Sequence, residues 1–395
     1  MKAALAAVFA LALSVETAAA QFPNLPKLGE NWVDVAYPIL FYEPRNGLVA
    51  GFYYGQVRPS GFDDYDEPPP HRALVALQGK IATSGSKSIR LSADFPNFFR
   101  GWRLAFTLSA LRDARRNYFG IGNGTTFDGS KINSSQPRFY QSDNRRLFLR
   151  SEVQRRILPW LRILGGFHAE RWRVDTLKGP SVLATDLING TDPTIGRTRD
   201  DISARIGIVI DRRDDERSPT RGFLIEGIVG AADSSVAGDL SYTRGTVSVA
   251  GYHLFGEKTV LAGRIVAQAM SGSAPLGTYY FVEASDRPFG ALGGKRSQRA
   301  ISTNRFLGED KLFANMDVRY LLMGERQVVT ISLLGFVDAG RVFHNPNGFR
   351  LTMNGLHVGG GGGPIITIGR AGVIGFTVGL GADGTKVLVH TSWTF

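Results

Sequence analysis

The chain has 395 residues, including 48 Gly, 25 Phe and no Cys, and a formal net charge of +11. The lack of cysteine excludes a disulfide framework, a thiolate nucleophile and a Cys-ligated metal. The length is compatible with one large closed β-barrel, and the positive charge indicates anionic surroundings.

The N-terminal residues 1–20 predict a secretory signal peptide. Lys2 precedes an apolar run over 3–15, and Ala18, Ala19 and Ala20 form a small-residue cleavage site. The apolar run is too short to span a bilayer as a helix. In an exported protein, the anionic surroundings are lipid phosphates or an anion-attracting interior, so no nucleic-acid partner is expected.

The remainder of the chain divides into two predicted parts. Residues 21–34 are a short periplasmic segment and residues 35–395 are an outer-membrane β-barrel. No later apolar run reaches the 18 residues that a membrane helix needs.

The fold class follows from a polarity that alternates with period two. In 146–154, Leu147, Leu149 and Val153 share one face, whereas Arg146 and Arg150 lie on the other. A soluble sandwich also alternates, but charges in the middle of many segments of about ten residues are typical of a transmembrane barrel with a wet lumen. We therefore predict an all-β, transmembrane antiparallel barrel of sixteen strands. The predicted strands lie near 35–42, 48–57, 71–81, 86–94, 101–111, 145–155, 161–174, 201–210, 222–231, 239–254, 258–271, 312–323, 327–339, 353–368, 371–381 and 386–395.

The connections between these strands differ in length. The short links at 43–47 and 324–326 are predicted to be periplasmic turns. The long links at 112–144, 175–200 and 272–311 are predicted to be extracellular loops or loops that enter the lumen.

The C-terminal segment predicts a last strand that runs to the end of the sequence. Val387, Val389, Trp393 and Phe395 alternate onto one face. Trp393 and the terminal Phe395 are similar to the recognition signal of outer-membrane barrels. The alternative is an ordinary amphipathic C-terminal strand.

Three stretches in order resemble the bacterial surface antigen superfamily, which includes the barrel-assembly insertase, its translocation-and-assembly relative and two-partner secretion transporters. They are IVIDRRDDERSPTRGFLIEG (208–227), ALGGKRSQRAISTNRFLGEDKLFANMDVRYLL (291–322) and GFVDAGRVF (335–343). The first matches a strand ending in Asp-x-Arg-Asp, followed by a Pro-Thr-Arg-Gly turn. Its motif residues are Asp211, Arg213, Asp214, Pro219, Arg221 and Gly222.

The resemblance implies that the sixth extracellular loop, 272–311 here, folds back into the lumen. Gly293 and Gly294 match the Leu-Gly-Gly motif of that loop, and Arg299 matches an arginine at its tip. In the family this arginine docks against acids on the next two strands, which are Asp317 and Asp338 in this chain. The family's large members also carry periplasmic POTRA domains, and none is expected in the short segment before the first strand.

Periodicity supports these acids separately from the resemblance. Asp338 carries the one charge on the polar face of 328–339, and Asp317 shares a polar face with Asn315 and Arg319. Two inward carboxylates in a region of low dielectric need a cation, and a guanidinium provides a bidentate fork. The alternative is that both acids line a wet lumen and pair with Arg319.

The loop tip departs from the family pattern. Arg299-Ala300-Ile301 stands where the family usually has Arg-Gly-aromatic. The chain thereby lacks the glycine with easy access to positive φ and the aromatic packing anchor, so we expect the tip to be held differently.

No catalytic, metal or cofactor site is predicted. The run GGGGGP (359–364) lacks the Lys-Ser/Thr of a phosphate loop, and glycines in a barrel strand more often allow close backbone approach, here by a docking loop. The six histidines have no metal-ligand spacing. We expect the protein not to be an enzyme.

Two functions remain open at this point. The first is translocation or membrane assembly of protein or lipid, gated by 272–311, which the loop and its acid pair favour. The second is a structural barrel or an anion-favouring small-solute channel, which the short N-terminal segment favours. The expected location is the bacterial outer membrane. The expected partners are outer-membrane lipid and lipopolysaccharide, the machinery that inserts the barrel, and a secreted or periplasmic protein.

Overall fold

The computed structural model describes residues 27–60, 71–285, 288–325, 328–344, 349–369 and 372–395. The predicted signal peptide 1–20 and most of the predicted segment 21–34 lie outside these ranges. Within them, no helix combines the length and apolar character needed to cross a membrane.

Sixteen strands form one antiparallel sheet in which neighbours in sequence are neighbours in space. This confirms the predicted all-β fold class and the strand number. The first eleven are β1 (Val33–Glu43), β2 (Gly47–Pro59), β3 (His71–Ala82), β4 (Lys87–Phe99), β5 (Trp102–Asn117), β6 (Gln141–Leu158), β7 (Leu161–Asp175), β8 (Thr198–Asp211), β9 (Gly222–Ala232), β10 (Tyr242–Phe255) and β11 (Thr259–Gly272). The last five are β14 (Asp310–Glu325), β15 (Val329–Phe343), β16 (His357–Ile368), β17 (Gly372–Gly381) and β18 (Gly384–His390). The labels β12 and β13 belong to two short strands outside this sheet.

The burial pattern of the strands is the inverse of that in a soluble protein. In β10, Val247 and Val249 are exposed, whereas the polar Thr246 and Ser248, which alternate with them, are buried. An alternating strand presents its two sets of side chains to opposite faces. The exposed face is apolar and the enclosed face is polar, as a barrel in lipid requires.

The connections alternate between two ends of the barrel because every neighbouring pair of strands is antiparallel. The long connections 118–140, 176–197 and 273–309 follow the fifth, seventh and eleventh strands and share one end, which we call the loop end. The opposite end, with the link 212–221, is called the turn end. The link 43–47 follows the first strand and therefore lies at the loop end, opposite Gly324 and Glu325, the described part of the predicted link 324–326. The prediction that both are turns of the same side was wrong.

The connection 273–309, which we call the lumen loop, contains the short helix α2 (Leu276–Tyr279) and two two-residue strands, β12 (Phe281–Val282) and β13 (Phe289–Gly290). At the loop end it packs against the other two long connections. One of these carries the helix α1 (Val182–Asn189). The shared apolar cluster consists of Tyr118, Trp172, Val174, Leu183, Ile195, Leu276, Tyr279, Tyr280, Ala291 and Leu307.

The C-terminal residues do not continue the last strand. β18 ends at His390, and Trp393 turns inward instead of lying with Val389 on the lipid face. The physical reason is that the indole Nε1 donates to Ser218 Oγ at 3.0 Å, and the Arg319 guanidinium lies 4.1 Å from the indole ring. Phe395 packs near Tyr252, also on the inner side. The predicted strand to residue 395 with Trp393 and Phe395 on its outer face was therefore wrong, and their role as a recognition signal stays a prediction.

Candidate functional site

Arg299 of the lumen loop is fully buried against the inner wall of β14 and β15. Its Nε and Nη2 donate to Asp338 Oδ2 and Oδ1 at 2.9 and 2.6 Å, and its backbone N donates to Asp338 Oδ2 at 2.8 Å. Its Nη1 lies 2.7 Å from Asp317 Oδ1. The structure thus brings together the arginine and both acids singled out in the sequence.

The contacts compensate the burial of three charges at one place. Burial alone opposes the charged form of Arg299, but the hydrogen bonds to Asp338 and the charge of Asp317 outweigh it and raise the pKa of the guanidinium. Removing one partner of such a group leaves an uncompensated buried charge, which typically costs about 3–5 kcal/mol. We call Arg299, Asp317 and Asp338 the arginine anchor.

Arg319 shares one of these acids with Arg299. Its Nη2 lies 3.2 Å from Asp317 Oδ2, while Arg299 contacts the other oxygen of the same carboxylate. Asn315 Nδ2 donates to Asp338 Oδ1 at 2.7 Å. Asp317 therefore pairs with both arginines, and Asp338 is bound by Arg299 and an amide.

Two consecutive glycines make the turn that leads to Arg299. Gly293 and Gly294 have φ of 112° and 108°, a region that residues with a Cβ rarely adopt. A Cβ on Gly293 would also lie 2.1 Å from the Ser302 carbonyl oxygen. The glycine pair thus lets the chain reverse and cross itself closely.

The inner wall contacts the loop tip through an aromatic ring and through glycines. The Arg299 guanidinium lies 4.0 Å from the centre of the Phe336 ring, which belongs to β15. Ala300 rests on glycines of β16 and β17: a Cβ on Gly359 would lie 2.5 Å from Ala300 Cβ, and one on Gly381 would lie 2.5 Å from the Ala300 carbonyl oxygen. The glycine-rich wall therefore forms a seat for the tip.

A second anchor holds the lumen loop on another part of the inner wall, formed by β6, β8 and β10, and sequence reasoning missed it. Glu283 is buried among three inward-facing arginines of β6, β8 and β10. Its Oε1 and Oε2 lie 2.6 Å from Arg150 Nη2 and 2.5 Å from Arg244 Nη2. Arg205 Nε is 3.8 Å from Oε1. We call this group the glutamate anchor.

Electrostatics keeps Glu283 ionised inside the barrel. Burial raises its pKa, but the positive charges of Arg244, Arg150 and Arg205 outweigh burial, so that the pKa lies well below its usual range. A signal was present in the sequence, because Arg150 and Arg205 lie mid-strand on polar faces and need an acid. The pattern of the strands could not say that a loop supplies it.

A third contact lies nearer the loop end. Arg305 Nε binds Asp383 Oδ1 at 2.9 Å, and Arg305 Nη1 and Nη2 donate to Thr125 Oγ1 and O at 2.8 Å each. Asp383 also accepts a hydrogen bond from the Ser302 backbone N at 3.0 Å. The lumen loop is therefore tied to two further connections of the loop end.

The motif around Asp211 forms the link 212–221 at the turn end. Asp211 Oδ1 and Oδ2 accept from Arg213 Nε and Nη2 at 2.9 and 2.8 Å. Asp214 Oδ1 accepts from the backbone N of Arg221 at 3.0 Å. Gly222 has φ of 93°, and a Cβ there would meet the Arg212 carbonyl oxygen at 2.0 Å.

This link is connected to the arginine anchor through Arg319. Its Nη1 lies 3.5 Å from the Pro219 carbonyl oxygen while its Nη2 contacts Asp317. The two stretches that resemble family motifs, remote in sequence, therefore meet at one side chain.

Between the lumen loop and the link 212–221 lies a cavity of about 790 Å³. Its lining includes eight Arg or Lys and six Asp or Glu, together with Trp393 and Phe395. The arrangement combines an apolar cluster at the loop end with a polar space at the turn end.

Comparisons with known proteins agree with this architecture. The Omp85 superfamily domain model matches residues 75–381. The structure is similar to BamA from Haemophilus ducreyi lacking POTRA domains 1–3, with a TM-score of 0.54 and 12% identity over 91% of this chain and 69% of that chain. It is also similar to CdiB from Escherichia coli, with a TM-score of 0.56 and 11% identity over 92% of this chain and 62% of that chain.

At these identities the similar structures share the fold alone, and the chain spans less than two thirds of the length of CdiB. No curated protein matches the sequence. The family model covers most of the chain, and members of this family are outer-membrane barrels. The resemblance noted in the sequence is confirmed, and the chain belongs to the Omp85 superfamily.

Proposed function

We propose that the protein is a bacterial outer-membrane barrel that translocates or assembles a polypeptide or lipid substrate, and that the lumen loop is its gate. The observation that carries this proposal is the pair of anchors of opposite sign, Arg299 on β14 and β15 and Glu283 on β6, β8 and β10. Both are buried, so the loop is held inside the barrel at two separate parts of the inner wall.

The space around the loop supports a gating role. The apolar cluster packs the lumen loop against β7 and the other two long connections at the loop end, whereas the cavity lies on the turn-end side of the loop. A substrate that enters from the turn end reaches the cavity and passes no further until the loop moves. The proposed partners are outer-membrane lipid and lipopolysaccharide, the machinery that inserts the barrel, and a secreted or periplasmic protein client.

A reversible covalent lock tests the gate. A Cβ at Gly379 would lie 3.3 Å from Ala300 Cβ, close to the Cβ separation of about 3.5–4.5 Å in disulfides. The chain has no native cysteine, so the variant A300C/G379C forms one defined bond between loop and wall. Two activities are measured in proteoliposomes: the folding of a small urea-denatured outer-membrane barrel and the transbilayer movement of a fluorescent lipid.

We expect at least one of these activities in the reduced variant, its loss on oxidation and its return on reduction. The single variant G379C under the same oxidant is the matched control. If vesicles with the reduced protein show no more barrel folding and no more lipid movement than empty vesicles, the translocation or assembly role is wrong. If the oxidised and reduced forms are equally active, the loop is not the gate.

A small-solute channel is the second candidate. The excess of Arg and Lys over acids in the cavity lining favours it, because such a lumen attracts anions. Steady anion-selective conductance in planar bilayers, unchanged by oxidation of A300C/G379C and accompanied by no activity in the two assays, supports this function instead.

A further inference from the structure

The outer wall carries a row of cations at the loop end of β4–β7. Antiparallel register places Lys87 opposite Arg112, Arg112 opposite Arg145 and Arg145 opposite Arg173. All four share the outward face with the exposed Ile89 and Leu147. With strands about 4.8 Å apart, the row is about 14 Å wide.

Like charges directly opposite each other on neighbouring strands are destabilising, so this row needs anions. Arg112 and Arg145 share a single carboxylate, Asp143, at 2.7 and 3.3 Å. Arg173 pairs with Asp175 at 2.8 Å, and no acid is opposite Lys87 on either neighbouring strand. Arg171, one position nearer the turn end, pairs with Asp200. Five cations thus face outward with three acids.

The cations lie directly above an apolar groove. The next outward positions toward the turn end are Gly79, Ile89, Ala110 and Leu147, which are also opposite one another across β3–β6. The small side chain of Ala110 leaves a depression between the larger ones, and the Phe52 ring, which lies over Gly79, borders it. The groove and the cation row line one open space of about 1050 Å³ on the outer wall.

In the next outward position toward the turn end the same face is apolar. Leu91, Leu108 and Leu149 are opposite one another in the next outward position. The cation row therefore marks the boundary between the lipid-facing belt and the aqueous loop end. A soluble anionic protein could not reach the groove without entering the hydrocarbon region.

The other half of the barrel shows no such row among its described strands. The corresponding outward positions on β11, β14 and β15 are Ala267, Leu312 and Arg341, which are opposite one another. The positive charge is therefore concentrated on one sector rather than spread around the rim.

We propose that this sector binds a lipid with more than one phosphate from the leaflet at the loop end, of the lipid A type. The guanidinium and ammonium groups of the row contact the phosphates, for which Arg offers a bidentate fork. The acyl chains occupy the groove beneath. This site is separate from the lumen loop, and its occupancy does not require the gate to work.

The test uses the full-length folded barrel in detergent and diphosphoryl lipid A as the probe, with bound lipid counted by native mass spectrometry. The triple variant K87Q/R145Q/R173Q keeps Arg112 with Asp143 and Arg171 with Asp200. We expect it to bind the probe at least about tenfold more weakly, because each basic residue near a membrane surface contributes to attraction of anionic lipid. R341Q is the matched control and should bind as the unaltered protein does.

Further arms identify the ligand. The charge-conserving variant K87R/R145K/R173K should retain most binding of diphosphoryl lipid A. Lipid A without its phosphates should bind weakly to the unaltered protein. Its affinity should be about that of diphosphoryl lipid A for the triple Gln variant. Heat-modifiable migration of each variant reports folding. Equal binding by the folded triple Gln variant, or complete displacement of the probe by excess inorganic phosphate, overturns the proposal.

Discussion

The two anchors of the lumen loop differ in sign and in how completely they are satisfied. Each nitrogen of the Arg299 guanidinium has an oxygen within 3.2 Å. At the glutamate anchor, Nε of Arg150, Arg205 and Arg244 has no hydrogen-bond partner among the described residues. One cation among two acids thus has an oxygen near each of its nitrogens, with Asp317 Oδ1 held by the 2.7 Å ion pair alone, whereas one acid among three cations leaves the three Nε donors and Arg205 Nη1 without an acceptor among the described residues. We infer that the glutamate anchor is the one that releases first.

Loss of the arginine anchor should have the largest effect. R299A leaves Asp317 and Asp338 with reduced compensation, and we expect the free energy of unfolding to fall by about 3–5 kcal/mol. The measurement is the urea midpoint of heat-modifiable migration, together with protease cleavage of the lumen loop. R299K keeps the charge but not the planar fork, so its loss should be smaller. An R299A barrel with unchanged midpoint and unchanged cleavage would show that Arg299 does not hold the loop.

Loss of the glutamate anchor should have a smaller effect on stability. E283Q keeps the shape of the side chain and removes its charge, while Glu152 still lies 2.8 Å from Arg205. We expect a loss of about 1–3 kcal/mol and faster cleavage of the lumen loop, measured as for R299A. Q154A, which alters a buried lumen-facing residue that contacts Glu152 rather than the loop, is the control. A larger destabilisation by E283Q than by R299A would reverse the order of release that we infer.

A pH change should have the smallest effect, at a contact nearer the surface. His344 Nδ1 lies 2.7 Å from Glu309 Oε2, just outside β15 and β14. The hydrogen bond that His344 donates to Glu309 raises the pKa of His344, and the pKa of Glu309 is lowered: burial opposes this, but the bond to His344 outweighs it. The contribution of His344 is therefore fully present below its unfolded pKa of about 6.5 and is lost as pH rises through the higher folded value.

The group is partly exposed, so solvent screening keeps this contribution below about 1 kcal/mol. We expect the urea midpoint to decline slightly as pH rises from about 6.5 through the neutral range, and H344Q to remove that slope. The same slope in H344Q would assign it to other groups. Neither outcome should alter the difference between the two anchors, which lie deeper in the lumen.

The sequence was sufficient to predict the strands of the sheet because the alternation of polar and apolar residues is a local property of each strand. The faces of β14 and β15 could be read from single segments, and with them the inward direction of Asp317 and Asp338. Glu283 could not be found in this way, since its partners belong to three strands that are distant in sequence and its own segment has no period. The predicted orientation of Trp393 was wrong for a related reason. Extending the alternation takes no account of the contacts that Ser218 and Arg319 make with the indole.

The fit of the loop tip on the inner wall makes residue 300 depend on three glycines that are distant from it in sequence. Ala300 fits because Gly359, Gly379 and Gly381 present bare backbone to it. A bulky residue at 300 would require the wall to recede, and a side chain at Gly359 or Gly381, where a Cβ would lie 2.5 Å from an atom of Ala300, would expel the tip. Among descendants of this sequence, substitutions at these sites should therefore arise in compensating pairs. A change in side-chain volume at residue 300 should be accompanied by an opposite change on the wall behind it.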